Sequence, residues 1–210
     1  EDRNFDASSS ISSVPVRALL VLLTTGALTA CGDSGSGGGS SSTGLTADEI
    51  PVAHSPVGGY GDAFPAAVLA DCTEPLVDGA PDLRGMWKSA DVTINGEPAP
   101  ADHRGWRHFQ RVEQCGDRIV ITGNGVIHDM RADGTVENGV HDVLESDHKT
   151  EIVVVATYED GVHVLRPVAI PGVEVRRRRD GAQMVFDYLG GLRMRLDRTG
   201  PPESAPPTFD

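Results

Sequence analysis

QRVEQCGDRIVITGNGVIHDM, residues 110–130, decides the fold. Two turn dipeptides, Gly116-Asp117 and Asn124-Gly125, punctuate it, and the residues between them are β-branched and alternate in character. Asn-Gly tolerates positive φ at both central positions of a type I′ turn, the best local sign of a two-residue hairpin. A two-residue loop also fixes register. With Asn124-Gly125 as the loop, Gly123 faces Val126, Ile121 faces His128 and Ile119 faces Met130. One face of this ribbon is then Ile119, Ile121, Val126 and Met130, and the other is Val120, Thr122 and Asp129. The first is the more apolar and is the predicted interior.

The same punctuation recurs outward, at Asp133-Gly134, Asp160-Gly161, Asp180-Gly181 and Gly190-Gly191. Nothing of helical period intervenes. The spacing predicts strands over 86–95, 107–115, 117–123, 125–131, 135–144, 151–159, 162–169, 172–179, 182–189 and 192–198. The result is an all-β antiparallel meander that closes into a barrel or folds into a sandwich.

Register also nominates site residues. An Asp133-Gly134 loop pairs Val126 with His141 and sets His128 diagonally from His141 on the inner face, about 7–8 Å away. Two inward imidazoles are candidate ligands for a metal or for a polar ligand head. The competing reading is a pair of half-buried histidines satisfied by neighbours. Asp160-Gly161 pairs Tyr158 with His163, which would either satisfy each other or line a pocket. Arg176 to Arg179 is a strand of four arginines. An Asp180-Gly181 loop puts Arg177 opposite Met184 and Arg178 opposite Gln183, with alternate guanidiniums on opposite faces. Arg177 is thus a candidate anion clamp at the barrel mouth, and pairing with Asp187 and Glu174 is the structural alternative. Trp106, with His103, His108 and Phe109, reads as a short helix or entrance lid, or as a packed rim.

The first predicted strand is entered through Asp82-Leu83-Arg84-Gly85-Met86-Trp87. Gly-x-Trp opening an all-β meander resembles the lipocalins and the wider calycin families, over residues 83–198. The resemblance implies an up-and-down barrel of about eight to ten strands with Trp87 plugging one end. It also implies an arginine of the last strand, Arg193 or Arg195, packed across that ring. Residues 110–130 resemble bacterial lipoproteins with lipocalin-like domains of no assigned activity. The long C-terminal helix and the second and third motifs of the best-known lipocalins are absent in clear form.

Upstream, Arg17 precedes an apolar run from Ala18 to Ala30, and Leu28-Thr29-Ala30-Cys31 closes it. A basic start, an apolar middle and small residues before a cut make a secretory leader. Its end on cysteine resembles the lipobox of bacterial lipoproteins, in which the cut falls before the cysteine and the thiol carries lipid. The run is about 13 residues, short of the roughly 20 a spanning helix needs. The polar, acidic residues before Arg17 suit no leader, so translation is expected to begin near Val14 or Val16. The predicted plan is a signal peptide over 1–30, a Gly/Ser tether over 31–45 that spans roughly 20 Å, a strap over 46–84 with a short helix at Ala63 to Asp71, the barrel over 85–198 and a frayed tail over 199–210. Beyond the lipid-bearing Cys31, Cys72 and Cys115 form an even pair outside the cytoplasm. That predicts a disulfide, the alternative being two free thiols.

A formal charge of −13 argues against nucleic acid as partner. No G-x-S-x-G, H-E-x-x-H or G-x-x-x-x-G-K motif occurs, so enzymatic activity is a minority reading and no cofactor is assigned. The expectation is a lipoprotein held on the outer side of the cytoplasmic membrane, its barrel binding a small apolar or amphipathic ligand. The alternatives are a packed barrel that binds or inhibits an envelope protein, and a metal or haem site using barrel histidines.

Overall fold

A computed structural model describes residues 44–209. The leader, Cys31 and nearly all of the tether lie outside these residues. Eleven strands form one antiparallel sheet: β1 Gly85–Ile94, β2 Glu97–Pro98, β3 Phe109–Cys115, β4 Arg118–Gly123, β5 Val126–Arg131, β6 Val140–Val143, β7 Glu151–Glu159, β8 Val162–Pro167, β9 Val175–Asp180, β10 Gln183–Asp187 and β11 Leu192–Gly200. Strand order is β5-β4-β3-β1-β11-β10-β9-β8-β7-β6, with β2 a short spur on β1. The meander is therefore an up-and-down barrel of ten strands, closed except for a seam between β5 and β6. Across that seam Arg131 N–H donates to Asn138 O at 2.8 Å, and the His128 ring reaches Val143 O at 3.1 Å.

Three hairpins have the predicted two-residue loops: Cys115 pairs with Arg118, Gly123 with Val126 and Glu159 with Val162. Asn124 and Gly125 take φ of 48° and 88°, as a type I′ turn requires. Entry to β1 needs glycine too. Gly85 has φ of 152°, and a Cβ there would meet Arg198 Nε at 2.5 Å.

Other expectations are corrected. Asp133-Gly134 is no hairpin; residues 132–139 form one loop, because Asp133 takes the Thr135 N–H, the Thr135 hydroxyl and the Asn138 amide on its carboxylate. That side-chain cap holds the chain in a wider turn and shifts the register. The hairpin after β9 turns one residue later than predicted, so Asp180 pairs with Gln183 and Arg177 with Phe186. The Gly190-Gly191 pair belongs to a 3-10 turn, Leu189–Gly191. No helix forms at Ala63 to Asp71. The carbonyls of Pro65 and Ala66 are taken by the Arg111 guanidinium, and the Leu69 N–H by Glu113. Nor is the tail free: Phe209 packs on Phe109 with centroids 6.0 Å apart, and Lys88 lies 4.6 Å over its ring.

Two apolar layers result. Inside, Trp87, Val92, Val112, Ile119, Ile121, Met130, Val154, Ala156, Met184, Phe186, Met194 and Leu196 form the lumen core. Outside, Ala47, Ile50 and Leu69 of the strap pack on Cys115, Val120 and Ile127. Cys72 and Cys115 join strap to barrel as a disulfide, their Cα atoms 6.1 Å apart. Because the strap lacks regular structure, its polar backbone groups need other partners, and charged side chains on the outer face of β3–β5 supply them. Arg118 donates to the carbonyls of Ala47, Ile50 and Pro51 while pairing with both oxygens of Asp129. Asp129 in turn accepts the Ala53 N–H at 2.8 Å. Arg111 lies 3.0 Å from Glu113, near enough for charge pairing.

Candidate functional site

Trp87 is fully buried in the lumen core and donates its indole N–H to Leu83 O at 2.7 Å. An arginine does stack on it, with Cζ 4.9 Å from the ring, but it is Arg179 of β9. Arg193 and Arg195 alternate with the inward Met194 and Leu196. They point outward, where Arg193 binds Asp187 and Arg195 binds Asp180 and Gln183. Parity along β11 excludes the arginines that the resemblance implied.

At mid-height the lumen is crossed. Arg177, inward on β9 and 6% exposed, donates from Nε to Gln110 Oε1 at 3.1 Å on β3. Its Cζ sits 4.1 Å from the Phe186 ring. Burial pushes its pKa down to about 10, so it stays cationic at neutral pH. No carboxylate lies within ion-pairing distance of it among the described residues, and its Nη1 finds no hydrogen-bond partner there. His163 is its cross-strand neighbour. That ring is fully buried, and neither nitrogen has a partner among the described residues. Burial, then the Arg177 charge, hold its pKa well below the ordinary value. Tyr158 pairs with His163, ring centroids 5.8 Å apart, but its hydroxyl is bonded to Gln114.

The two histidines proposed as a pair do not converge. His128 is inward, its pKa lowered by burial against the bond to Val143 O. His141 is exposed on the outer face and bonds Val136 O at 2.7 Å. On β6 it is Val140 that shares the lumen with Met130. A one-residue slip of register carries the imidazole to the opposite side. Among the described residues no group of three or more His, Cys, Asp or Glu is placed to hold a metal ion.

Above Arg177 and Phe186 the mouth opens into a cavity of about 180 Å³. Phe186, Leu192 and Met194 give it an apolar wall, and Tyr188, Asn124, His108, Glu145 and Arg104 a polar one. Arg104 comes from a single 3-10 turn, Arg104–Arg107, between β2 and β3; His103 caps it by accepting the Gly105 N–H. His108 lies at the entry to β3, 8% exposed. Burial, opposed by Glu145, pushes its pKa down to about 4, so the ring is neutral at pH 7. Of the polar residues only His108 was read from the sequence as more than a turn or strand position, within a short helix or entrance lid or a packed rim. Asn124 occupies a hairpin turn, and Glu145 follows β6, so nothing in local spacing marks them.

Two larger grooves lie elsewhere. One of about 540 Å³ on the Trp87 side includes Arg84, Arg179 and Arg198, and one of about 470 Å³ beside the strap includes Arg118, Asp129 and His141. In each, one arginine is already engaged, Arg84 with Asp82 and Arg118 with Asp129.

No family model matches the chain, and no curated protein does. Among solved structures human cRBP IV is similar, over 56% of this chain and 98% of that one, at 11% identity and a TM-score of 0.43.

Proposed function

We propose that this chain is a small-molecule binding barrel, tethered by acylated Cys31 to the outer side of the cytoplasmic membrane, with its ligand in the mouth cavity. One observation carries the reading. The cavity lined by Phe186 and His108 has an apolar wall facing a polar one, the pattern of a ligand site. Its size suits a compact ligand, since an apolar cavity of about 150 Å³ accommodates benzene. The anchor rests on the sequence of the leader and on Cys31. A leader and disulfide-bonded barrel fit an oxidising compartment.

Native mass spectrometry of the full chain, purified from its host without added ligand, tests this. A small-molecule adduct is expected on the wild type and lost from Leu192→Trp, whose indole fills the mouth. A bare mass for both would favour the packed barrel that binds an envelope protein.

A further inference from the structure

Among the described residues most arginines of this acidic chain reach a carboxylate, but two beside Trp87 do not. Arg179 continues the inward row of β9 from Val175 and Arg177, and its Cζ lies 4.9 Å from the Trp87 ring. Arg198 continues the inward row of β11 from Met194 and Leu196, and in register it stands opposite Trp87. Both line the groove of about 540 Å³. Arg179 is half-buried and Arg198 exposed, so neither is sealed from water. Arg179 gives Nη2 to Gly181 O and Arg198 gives Nε to Arg84 O. Their other guanidinium N–H groups have no hydrogen bond among the described residues.

The carboxylates of the groove do not cancel this pair. Asp82 is held by two bonds from Arg84, Nε at 2.9 Å and Nη2 at 2.7 Å. Glu113 is buried, takes the Leu69 N–H and lies 3.0 Å from Arg111. Glu203, on the exposed tail, is the one carboxylate of the groove without an ion pair among the described residues. Two unpaired guanidiniums against one exposed carboxylate leave the groove locally positive. Planar guanidiniums with free N–H groups match the oxygens of a phosphate.

The position of the groove decides which phosphate. Leu45 forms a parallel bridge with Cys72, giving its N–H to Asp71 O at 2.9 Å and taking the Thr73 N–H at 3.0 Å. Cys72 itself lines the groove. The Gly/Ser sequence between Cys31 and Leu45 has a reach of roughly 20 Å. An acylated Cys31 therefore keeps the groove close to lipid headgroups, at high effective concentration. A net charge of −13 provides no general attraction to an anionic surface, so contact has to be local.

Resting on the acylated-Cys31 reading for the source of the phosphate, we propose that Arg179 and Arg198 clamp the phosphate of an anionic phospholipid headgroup. The clamp orients the barrel on the membrane that anchors it.

Hydrogen exchange of the full acylated chain tests this, in vesicles of phosphatidylcholine alone or of equal parts phosphatidylcholine and phosphatidylglycerol. Phosphatidylglycerol should slow exchange over residues 69–72 and 198–203 by about tenfold or more. Arg179→Gln with Arg198→Gln should abolish that protection, and Arg193→Gln, on the outer face, should leave it intact. Because Arg179 packs on Trp87, thermal melting checks the double variant. Arg198→Gln alone, at an exposed position, should cut the protection about fivefold. Equal loss in Arg193→Gln, or no protection in wild type, overturns the site. Inorganic phosphate added to phosphatidylcholine vesicles is the second arm; protection equal to that of phosphatidylglycerol overturns the lipid as source. The mass of the Cys31 peptide reads the anchor separately. An acylated chain that phosphatidylglycerol does not protect loses the headgroup site and keeps the anchor, whereas an unmodified Cys31 overturns the anchor and the lipid source together.

Discussion

Arg118 and Arg177 are almost equally sealed from water, 3% and 6% exposed, yet their surroundings are opposite. Arg118, between barrel and strap, meets both oxygens of Asp129 and three backbone carbonyls. Among the described residues Arg177, in the lumen, has one side-chain hydrogen bond, to Gln110, and the face of Phe186. Among the described residues the buried polar atoms around it lack partners as well, at His163, at Gln110 Nε2 and at His108 Nε2. The difference teaches where stability resides. The outer layer uses charge to fasten an irregular segment, whereas the lumen carries charge that packing alone would not select. Buried polar groups without partners are a cost that a fold retains at sites of function.

The strongest way to break this contrast is to uncouple the outer clamp. Asp129→Ala strands the Arg118 charge under the strap and should cost about 3–5 kcal/mol in urea unfolding. Hydrogen exchange should speed up first over residues 47–55. A loss below about 1 kcal/mol would show that the strap is not held this way. Next comes the disulfide, which links residues 43 apart. Cys72→Ser with Cys115→Ser should cost roughly 3–4 kcal/mol, mainly by freeing the unfolded chain, and should leave ligand binding intact, because the bond lies outside the lumen.

The lumen answers to pH instead. His108 is pushed from 6.5 to about 4 by burial, and His163 is lowered in the same direction. Above pH 6.5 both folded and unfolded rings are neutral and stability is level. Between 6.5 and about 4 the unfolded chain binds protons that the native chain refuses, so stability falls with falling pH, by roughly 3 kcal/mol for His108 alone. Urea midpoints measured across that range, in wild type and His108→Phe, should show a shallower fall in the variant. Equal slopes would mean that His108 titrates normally. The smallest effect belongs to the surface. The Arg84–Asp82 pair is about half exposed, so Arg84→Ala should change thermal stability by less than about 1 kcal/mol.

The barrel itself was legible because its turns are local chemistry. Gly116-Asp117, Asn124-Gly125 and Asp160-Gly161 each specify a two-residue loop, and the register that follows placed Ile119, Ile121, His128 and Met130 inward as found. Inference failed where a side chain captured the turn, as Asp133 does, and the slip sent His141 outward. At Gly181 the turn moved by one residue but the partner of Arg177 moved by two, so its face was unchanged. The buried charges of the outer layer were hidden for another reason. Arg111, Glu113, Arg118 and Asp129 alternate along their strands like a solvated face, and only the strap, which has no periodicity to announce it, covers them. The mouth was hidden too, since Arg104, His108, Asn124 and Glu145 converge only once the barrel closes.

The most direct test of the contrast is the urea unfolding of Arg177→Met. If the lumen charge is kept for the site and not for the fold, the variant is as stable as wild type or more so, because a poorly compensated buried charge is replaced by an apolar side chain of similar length. A loss of about 3 kcal/mol or more would contradict the account and make Arg177 a structural brace like Arg118.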